Sequence, residues 1–160
     1  MKVIIAIDDS PYSNEVMQKI SRRHWPRDTE FKVLTVLEPV PLEVLAKERW
    51  NDLLAQVTSS REDMARHLCS QAREKIIAHV PAARVHYEVR AGKPRVEIVD
   101  AASEWAADKI VVGAHGKGVC PRFLLGSVSS AVAAHAPCSV EIVRASIAHP
   151  KNETANSTVK

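Results

Sequence analysis

The sequence predicts an α/β domain, doubly wound, in which a five-stranded parallel sheet carries helices on both faces. Three observations point there. Val3, Ile4, Ile5, Ala6 and Ile7 open the chain as an unbroken apolar run, the pattern of a strand buried on both faces rather than on one. Further runs of this kind alternate with segments of helical period, which is the order that builds a parallel sheet with right-handed crossovers. Asp8, Glu38 and Gly113 stand at carboxyl ends of strands, where sheets of this class hold ligands. With 160 residues, 46% of them apolar and 26% charged, the chain is long enough for one sizeable core and too short for two full domains.

Each element has its own signal. The first strand spans residues 2 to 8 and ends at Asp8-Asp9. Ser10-Pro11 then supplies an N-cap with proline at the first helical position, and the helix is expected to run to about His24. A second strand, Phe31 to Leu37, is closed by Glu38-Pro39-Val40-Pro41, whose two prolines deny continuation of either strand or helix. Leu42, Leu45, Trp50, Leu53, Leu54 and Val57 show a broken period and predict an irregular helical connection. Met64, Leu68, Ala72, Ile76 and Val80 step by four, predicting the buried face of a long helix from about Ser60 to His79. Pro81 stops it, and Val85, Tyr87 and Val89 alternate with His86, Glu88 and Arg90 as an edge strand with one wetter face. Ala91-Gly92-Lys93-Pro94 turns into a helix whose inner face reads as Val96, Val99, Ala102, Trp105 and Ala106, and Lys109 to Gly113 is the next strand. Gly126-Ser127 opens an alanine-rich helix, Val128 to His135, and Pro137-Cys138-Ser139 leads into the last strand, Val140 to Arg144. One domain is therefore expected over residues 1–145. Residues 146–160 are polar and aperiodic and read as a disordered tail, where the triplets at Asn152 and Asn156 mean little without a secretory route.

Charge and cysteine usage leave several classes unsupported. A formal net charge of +3 is too small and too scattered to announce a nucleic-acid or anionic-membrane surface. Cys69, Cys120 and Cys138 are odd in number and lack a CxxC spacing, so a disulfide framework is a poor reading and a reducing cytoplasm the better one. The opening apolar run is far shorter than the ~20 residues of a membrane span.

The chemistry concentrates between Gly113 and Ser129. Three of the five glycines, Gly113, Gly116 and Gly118, fall in one loop. Gly113 lets a ligand approach the strand end, and Gly116 is expected to take a positive φ that turns successive amides into an anion nest. Gly126, Ser127, Val128 and Ser129 are expected to present the unpaired N–H groups of a helix start, with two hydroxyls as further donors. Phosphates belong between nest and helix. His115, Lys117 and Arg122 share the loop, although basic loop side chains mostly face water. His115, Cys120, His135 and Cys138 match no recurrent zinc spacing, and Trp25, Trp50 and Trp105 read as core. The acidic pair Asp8-Asp9 invites a receiver-domain reading, which fails because the third strand ends in Arg90-Ala91-Gly92. Gly92-Lys93-Pro94 and Gly116-Lys117-Gly118 lack the hydroxyl of a P-loop.

On these residues the chain resembles the universal stress protein family in its nucleotide-binding branch. Val3 to Ile7 with Asp8-Asp9-Ser10, Val111 to Gly118, and Arg122 to Ser129 carry the resemblance, which covers roughly residues 1 to 144. The family's G-x2-G-x9-G-[S/T] motif is matched at Gly113, Gly116, Gly126 and Ser127. The resemblance implies a Rossmann-like sheet of order 3-2-1-4-5 and an ATP site in which Asp8, after Ile7, faces the ribose and Val36 meets the adenine through its backbone. Val112, Gly113, His115, Gly116, Gly126, Ser127, Val128 and Ser129 would line ribose and phosphates, with Mg²⁺ or Mn²⁺ carried on the phosphates. It further implies a homodimer through the last strand, Val140 to Val143. Two departures stand out. Ala114 occupies a position where serine is common, and Pro137-Cys138-Ser139-Val140 differs from the usual Cys-Pro-Val order. Glu141 is also less apolar than a dimer seam prefers.

Three functions remain open at this point: an ATP-binding regulatory protein, a nucleotide-free interaction module of the same fold, and a slow ATPase. The sequence does not choose among ATP, ADP and AMP, and it leans away from an enzyme because Asp8, His115 and Lys117 are the only groups near the phosphates that phosphoryl transfer might use.

Overall fold

The computed structural model describes residues 1–39, 51–116 and 125–144, with residues 51–55 as backbone. Five strands, β1 (Lys2–Ala6), β2 (Glu30–Leu37), β3 (Arg84–Ala91), β4 (Lys109–Gly113) and β5 (Ser139–Val143), form one sheet in the order β3-β2-β1-β4-β5. All the pairings are parallel. Among the described residues the connections hold four helices: α1 (Pro11–Arg22), α2 (Asn51–His79), α3 (Pro94–Glu104) and α4 (Ser127–His135).

Alternation along β1 shows why the sheet needs both helical layers. Val3, Ile5 and Ile7 face one core with Val16, Met17 and Ile20 of α1 and Cys69, Ala72 and Ile76 of α2. Ile4 and Ala6 face the other, with Ile98, Ala101 and Ala102 of α3 and Val132 of α4. Every fully buried Ile or Val of these layers contributes about 1.5–3 kcal/mol, and polar substitution at Ile4 or Ile5 would forfeit that on either face.

The elements depart from the sequence reading in places. α2 begins by Asn51, so residues 51–59 are helical where the broken period suggests an irregular connection; residues 56–60 are exposed and extend the helix without burying a face. The earlier part of that connection, with Leu42, Leu45 and Trp50, lies outside the described residues. Met64 is 62% exposed and Tyr87 45% exposed, although both fall in rows read as buried. Met64 sits where the sheet beneath α2 has ended, and Tyr87 lies on an edge strand with no neighbour on its outer side. The inner face of α3 is Ile98, Ala101 and Ala102, which leaves Val96 45% exposed and Ala106 exposed beyond the helix end at a φ of 49°. Trp25 donates from Nε1 to the Ile20 carbonyl at 2.9 Å and meets Phe31 edge-on at 5.1 Å. Trp105 lies under the ammonium groups of Lys2 and Lys32.

Ionic contacts close the sheet edges. Burial alone would raise the Glu141 carboxyl, but the hydrogen bonds and charges of Lys109 at 3.1 Å and Arg23 at 2.6 Å outweigh it and hold the group below the usual range. Glu88 is lowered the same way, burial being outweighed by Lys32 and Arg90. The predicted tail, residues 146–160, lies outside the described residues, and no helix among those described is long and apolar enough to cross a membrane.

Candidate functional site

α1 leaves the sheet toward one face and α4 toward the other, so the carboxyl ends of β1 and β4 part around a crevice. That crevice is a cavity of about 430 Å³, within the range of small-molecule sites. Ile7, Asp8, Val36, Val112, Gly113, His115, Gly116, Gly126, Ser127, Val128 and Ser129 all line it. Lys117, Cys120 and Arg122 lie outside the described residues.

Asp8 combines two roles that its sequence position leaves undecided. Its Oδ1 accepts from the Ser10 amide at 3.2 Å, the Ser10 hydroxyl at 2.5 Å and the Ser13 hydroxyl at 2.9 Å, while the Asp8 amide donates to Ser13 Oγ at 2.9 Å. Ser10 thus occupies the N-cap position of α1, but its hydroxyl serves Asp8 and makes no side-chain cap. Oδ2 faces Gly116, where an added Cβ would stand 2.9 Å away. One oxygen ties the turn and the other borders the cavity.

The glycines act differently from the reading in sequence. Among the described residues Gly92 is the only glycine with a positive φ, so Gly116 builds no left-handed nest. Its value is the absent Cβ beside Asp8. Gly126 is likewise a close-approach position, its missing Cβ falling 3.2 Å from the Ala114 carbonyl.

The start of α4 is partly committed to the fold. The Gly126 amide donates to the Ala114 carbonyl at 2.7 Å, so it is not an unpaired donor. Ser129 is 2% exposed, and its hydroxyl donates to the carbonyls of Ala114 and Gly126, both at 3.0 Å, which removes it from any ligand. The amides of Ser127, Val128 and Ser129 find no acceptor among the described residues and carry the partial positive charge of the helix start. Ala114 serves through its backbone: its amide donates to the Val143 carbonyl at 2.7 Å, and its carbonyl binds α4. A serine hydroxyl is not needed for either contact.

At the opposite end of the cavity β2 outlasts β1. Their pairing closes with the Ile7 amide on the Leu34 carbonyl at 3.0 Å, and the Leu37 carbonyl accepts from Gly92 on the β3 side. Alternation then turns the N–H and C=O of Val36 toward β1, past its last bond, and neither group is bonded among the described residues. Thr35 donates to the Ile7 carbonyl at 3.1 Å, and Cys69 Sγ stands 3.3 Å from Thr35 Oγ1. Burial pushes the Cys69 thiol up, making it a packing group rather than a nucleophile.

The sequence reading missed one wall. Arg61, Met64, Ala65 and Leu68 of α2 face the cavity, opposite Pro94 and Ile98 of α3, and make a slot whose edge is Val36. Arg61 Nη2 donates to the Glu38 carbonyl at 2.9 Å across its mouth. Met64 and Leu68 belong to the step-of-four stripe already visible in sequence, which looks the same whether it covers core or cavity. His115 stands 5.6 Å from the Tyr12 ring, centroid to centroid. No group of three or more His, Cys, Asp or Glu side chains that could hold a metal is found among the described residues.

Comparison with known proteins agrees with this architecture. The model of the universal stress protein family matches residues 1–144. Universal stress protein MJ0531 of Methanocaldococcus jannaschii is 30% identical over 152 residues, covering 95% of this chain and 84% of that protein. The structure of universal stress protein UspA from Lactobacillus plantarum superposes with a TM-score of 0.74 at 21% identity, over 90% of this chain and 97% of that one. An Arabidopsis thaliana protein of the universal stress protein family, solved with AMP bound, does so with a TM-score of 0.66 at 16% identity, over 95% and 97%.

Proposed function

Because the chain belongs to the universal stress protein family, we propose that it is a regulatory protein that binds an adenine nucleotide, ATP in its fullest form, in the cavity at the ends of β1 and β4. One observation carries this reading: a single hollow joins an unbonded N–H and C=O pair at Val36 to the unbonded amides of Ser127, Val128 and Ser129. An amide next to a carbonyl matches adenine, whose ring nitrogen accepts and whose amino group donates. The apolar slot between α2 and α3 takes the faces of the base. Asp8 Oδ2 faces the ribose hydroxyls, since a carboxylate accepts from hydroxyls and repels phosphate. The phosphates then reach the start of α4, where backbone amides and the helix dipole favour negative charge. The AMP bound in the Arabidopsis thaliana structure of the same fold supports this reading.

A divalent cation, Mg²⁺ or Mn²⁺, would be carried by the phosphates in this reading and would offset their charge. The protein's part is to hold the phosphates rather than cleave them. Asp8 is already bound through Oδ1 by three donors, which suits a fixed acceptor better than a proton carrier, so turnover is slow at most. We further propose a homodimer through the outer edge of β5, Val140 to Val143. Glu141 is compatible with that seam because its charge is met by Arg23 and Lys109 of the same chain. Calorimetric titration of the purified chain with ATP and Mg²⁺ tests the nucleotide reading: saturable heat is expected, and no heat at millimolar nucleotide overturns it.

A further inference from the structure

We propose that Met64 is an oxidative modification site whose conversion to the sulfoxide weakens ligand binding in the cavity. The inference rests on the nucleotide reading above, since it assigns Met64 to the wall of the base slot. Three methionines occur in the chain, and their surroundings differ sharply. Met17 is 5% exposed within the core, Met1 is 40% exposed at the amino-terminal end of the sheet, and Met64 is 62% exposed while also lining the cavity.

The placement follows from helix geometry. Arg61, Met64, Ala65 and Leu68 fall at i, i+3, i+4 and i+7 along α2 and form the stripe that faces the cavity. Ala65 is 5% exposed and Leu68 half-buried, so the thioether of Met64 is the stripe's contact at the mouth, open to solvent on its other side. A small peroxide reaches that sulfur without opening the fold, whereas Met17 is reached only after unfolding.

The step balances. The sulfur donates an electron pair to one peroxide oxygen, an S–O bond forms, and the O–O bond breaks. With hydrogen peroxide, water leaves, so methionine is oxidised by two electrons and the peroxide reduced by two. A flexible apolar side chain that packs favourably on an aromatic ring becomes polar and chiral. Loss of a sulfur–aromatic contact corresponds to a roughly two- to tenfold weaker affinity for the base. Reduction by methionine sulfoxide reductase makes the change reversible.

The test uses the full chain and the M64L variant, each titrated with AMP before and after hydrogen peroxide, with peptide mass spectrometry to locate added oxygen. We expect Met64 to oxidise ahead of Met17, wild-type affinity to fall about two- to tenfold, and the reductase to restore it. For M64L, whatever its starting affinity, the ratio of treated to untreated affinity should stay at one. The proposal is overturned if Met64 stays unmodified while Met1 oxidises, if oxidised wild type binds as tightly as untreated, or if M64L loses affinity to the same extent. Untreated wild type that binds no AMP removes the nucleotide reading and this inference together, whereas binding indifferent to oxidation removes this inference alone.

Discussion

Exchanging adenine for guanine is the most direct probe of the site, because it reverses the two groups that Val36 offers while leaving ribose and phosphates alone. Guanine brings a ring N–H to the Val36 N–H and a carbonyl to the Val36 C=O, so both contacts turn from attraction to mismatch. Each buried group left unsatisfied costs about 1–3 kcal/mol, which places GMP about 2–6 kcal/mol behind AMP for the two contacts, at least about 30-fold in Kd. Nearby side chains offer little rescue. Thr35 is bonded to Ile7 and Cys69, Arg61 holds the Glu38 carbonyl, and Leu68, Pro94 and Ile98 are apolar. Competition calorimetry with AMP, IMP and GMP in one buffer reads the ratio directly, IMP ranking with GMP because it carries the same N–H and carbonyl. Val36→Pro sharpens the test. It removes an N–H that takes part in no sheet bond and replaces the Val36 side chain, packed at the edge of the core, by an apolar ring of similar size, so AMP affinity should fall by about 1–3 kcal/mol in a variant whose fold is checked by circular dichroism. GMP binding within threefold of AMP, or a well-folded Val36→Pro variant with wild-type affinity, would refute the assignment of Val36 to the base.

Other substitutions separate binding from stability. Gly126→Val places a branched side chain where even a Cβ is 3.2 Å from the Ala114 carbonyl, and should cost at least about 2 kcal/mol of nucleotide binding by calorimetry; unchanged affinity would show that the start of α4 is not part of the site. Ser127→Ala should weaken binding by on the order of 1 kcal/mol, since the amide remains, with little effect on chemical denaturation. Ser129→Ala should do the reverse, losing about 1 kcal/mol of folding stability because its one hydroxyl proton is shared between the Ala114 and Gly126 carbonyls, while affinity changes less; equal effects on both readouts would contradict this division. Glu141 is held below its ordinary range, so the stability it contributes is present above the unfolded carboxylate value near 4.5 and is lost as pH falls through the lower folded value. Its side chain is 23% exposed and that of Arg23 44%, so solvent screens the pair and the contribution stays at or below about 1 kcal/mol. Glu141→Gln should therefore lose that small amount at neutral pH and flatten the acid limb of the stability profile, the two proteins converging as pH falls below the folded value.

Much of the fold was legible because strands buried on both faces leave little ambiguity: Val3 to Ile7 and Lys109 to Gly113 admit no amphipathic alternative. The start of α2 was not, because residues 56–60 are exposed, and a helical turn that buries no face leaves no apolar period to read. The cavity lining was legible wherever spacing constrains the backbone, as with Gly113, Gly116, Gly126 and Ser127, all of which border it. Legibility failed where one residue type has two uses. Glycine supplies either a left-handed turn or a missing Cβ, and the sequence reads the same in both cases; Gly116 turned out to be the second. Serine at a helix start donates either outward or back to the preceding strand, and Ser129 donates back. Met64 is the third case, a stripe residue that fits core and cavity equally well.

These ambiguities share a cause. The fold spends its side-chain donors on itself: Ser10 and Ser13 on Asp8, Thr35 on Ile7, Ser129 on Ala114. What remains unbonded around the cavity is largely backbone, at Val36 where β2 outruns β1 and at Ser127 to Ser129 where α4 begins. Backbone groups are fixed in direction by the strands and helices that carry them, so they require no ordering when a ligand arrives. Asp8 is the exception that supports the rule, since its carboxylate is held through Oδ1 as firmly as a peptide group and presents only Oδ2. A site built this way draws its selectivity from the register at which strands end. Side-chain substitution therefore tunes its shape, as oxidation of Met64 would, while the order of donors and acceptors changes only if β1 and β2 shift relative to one another.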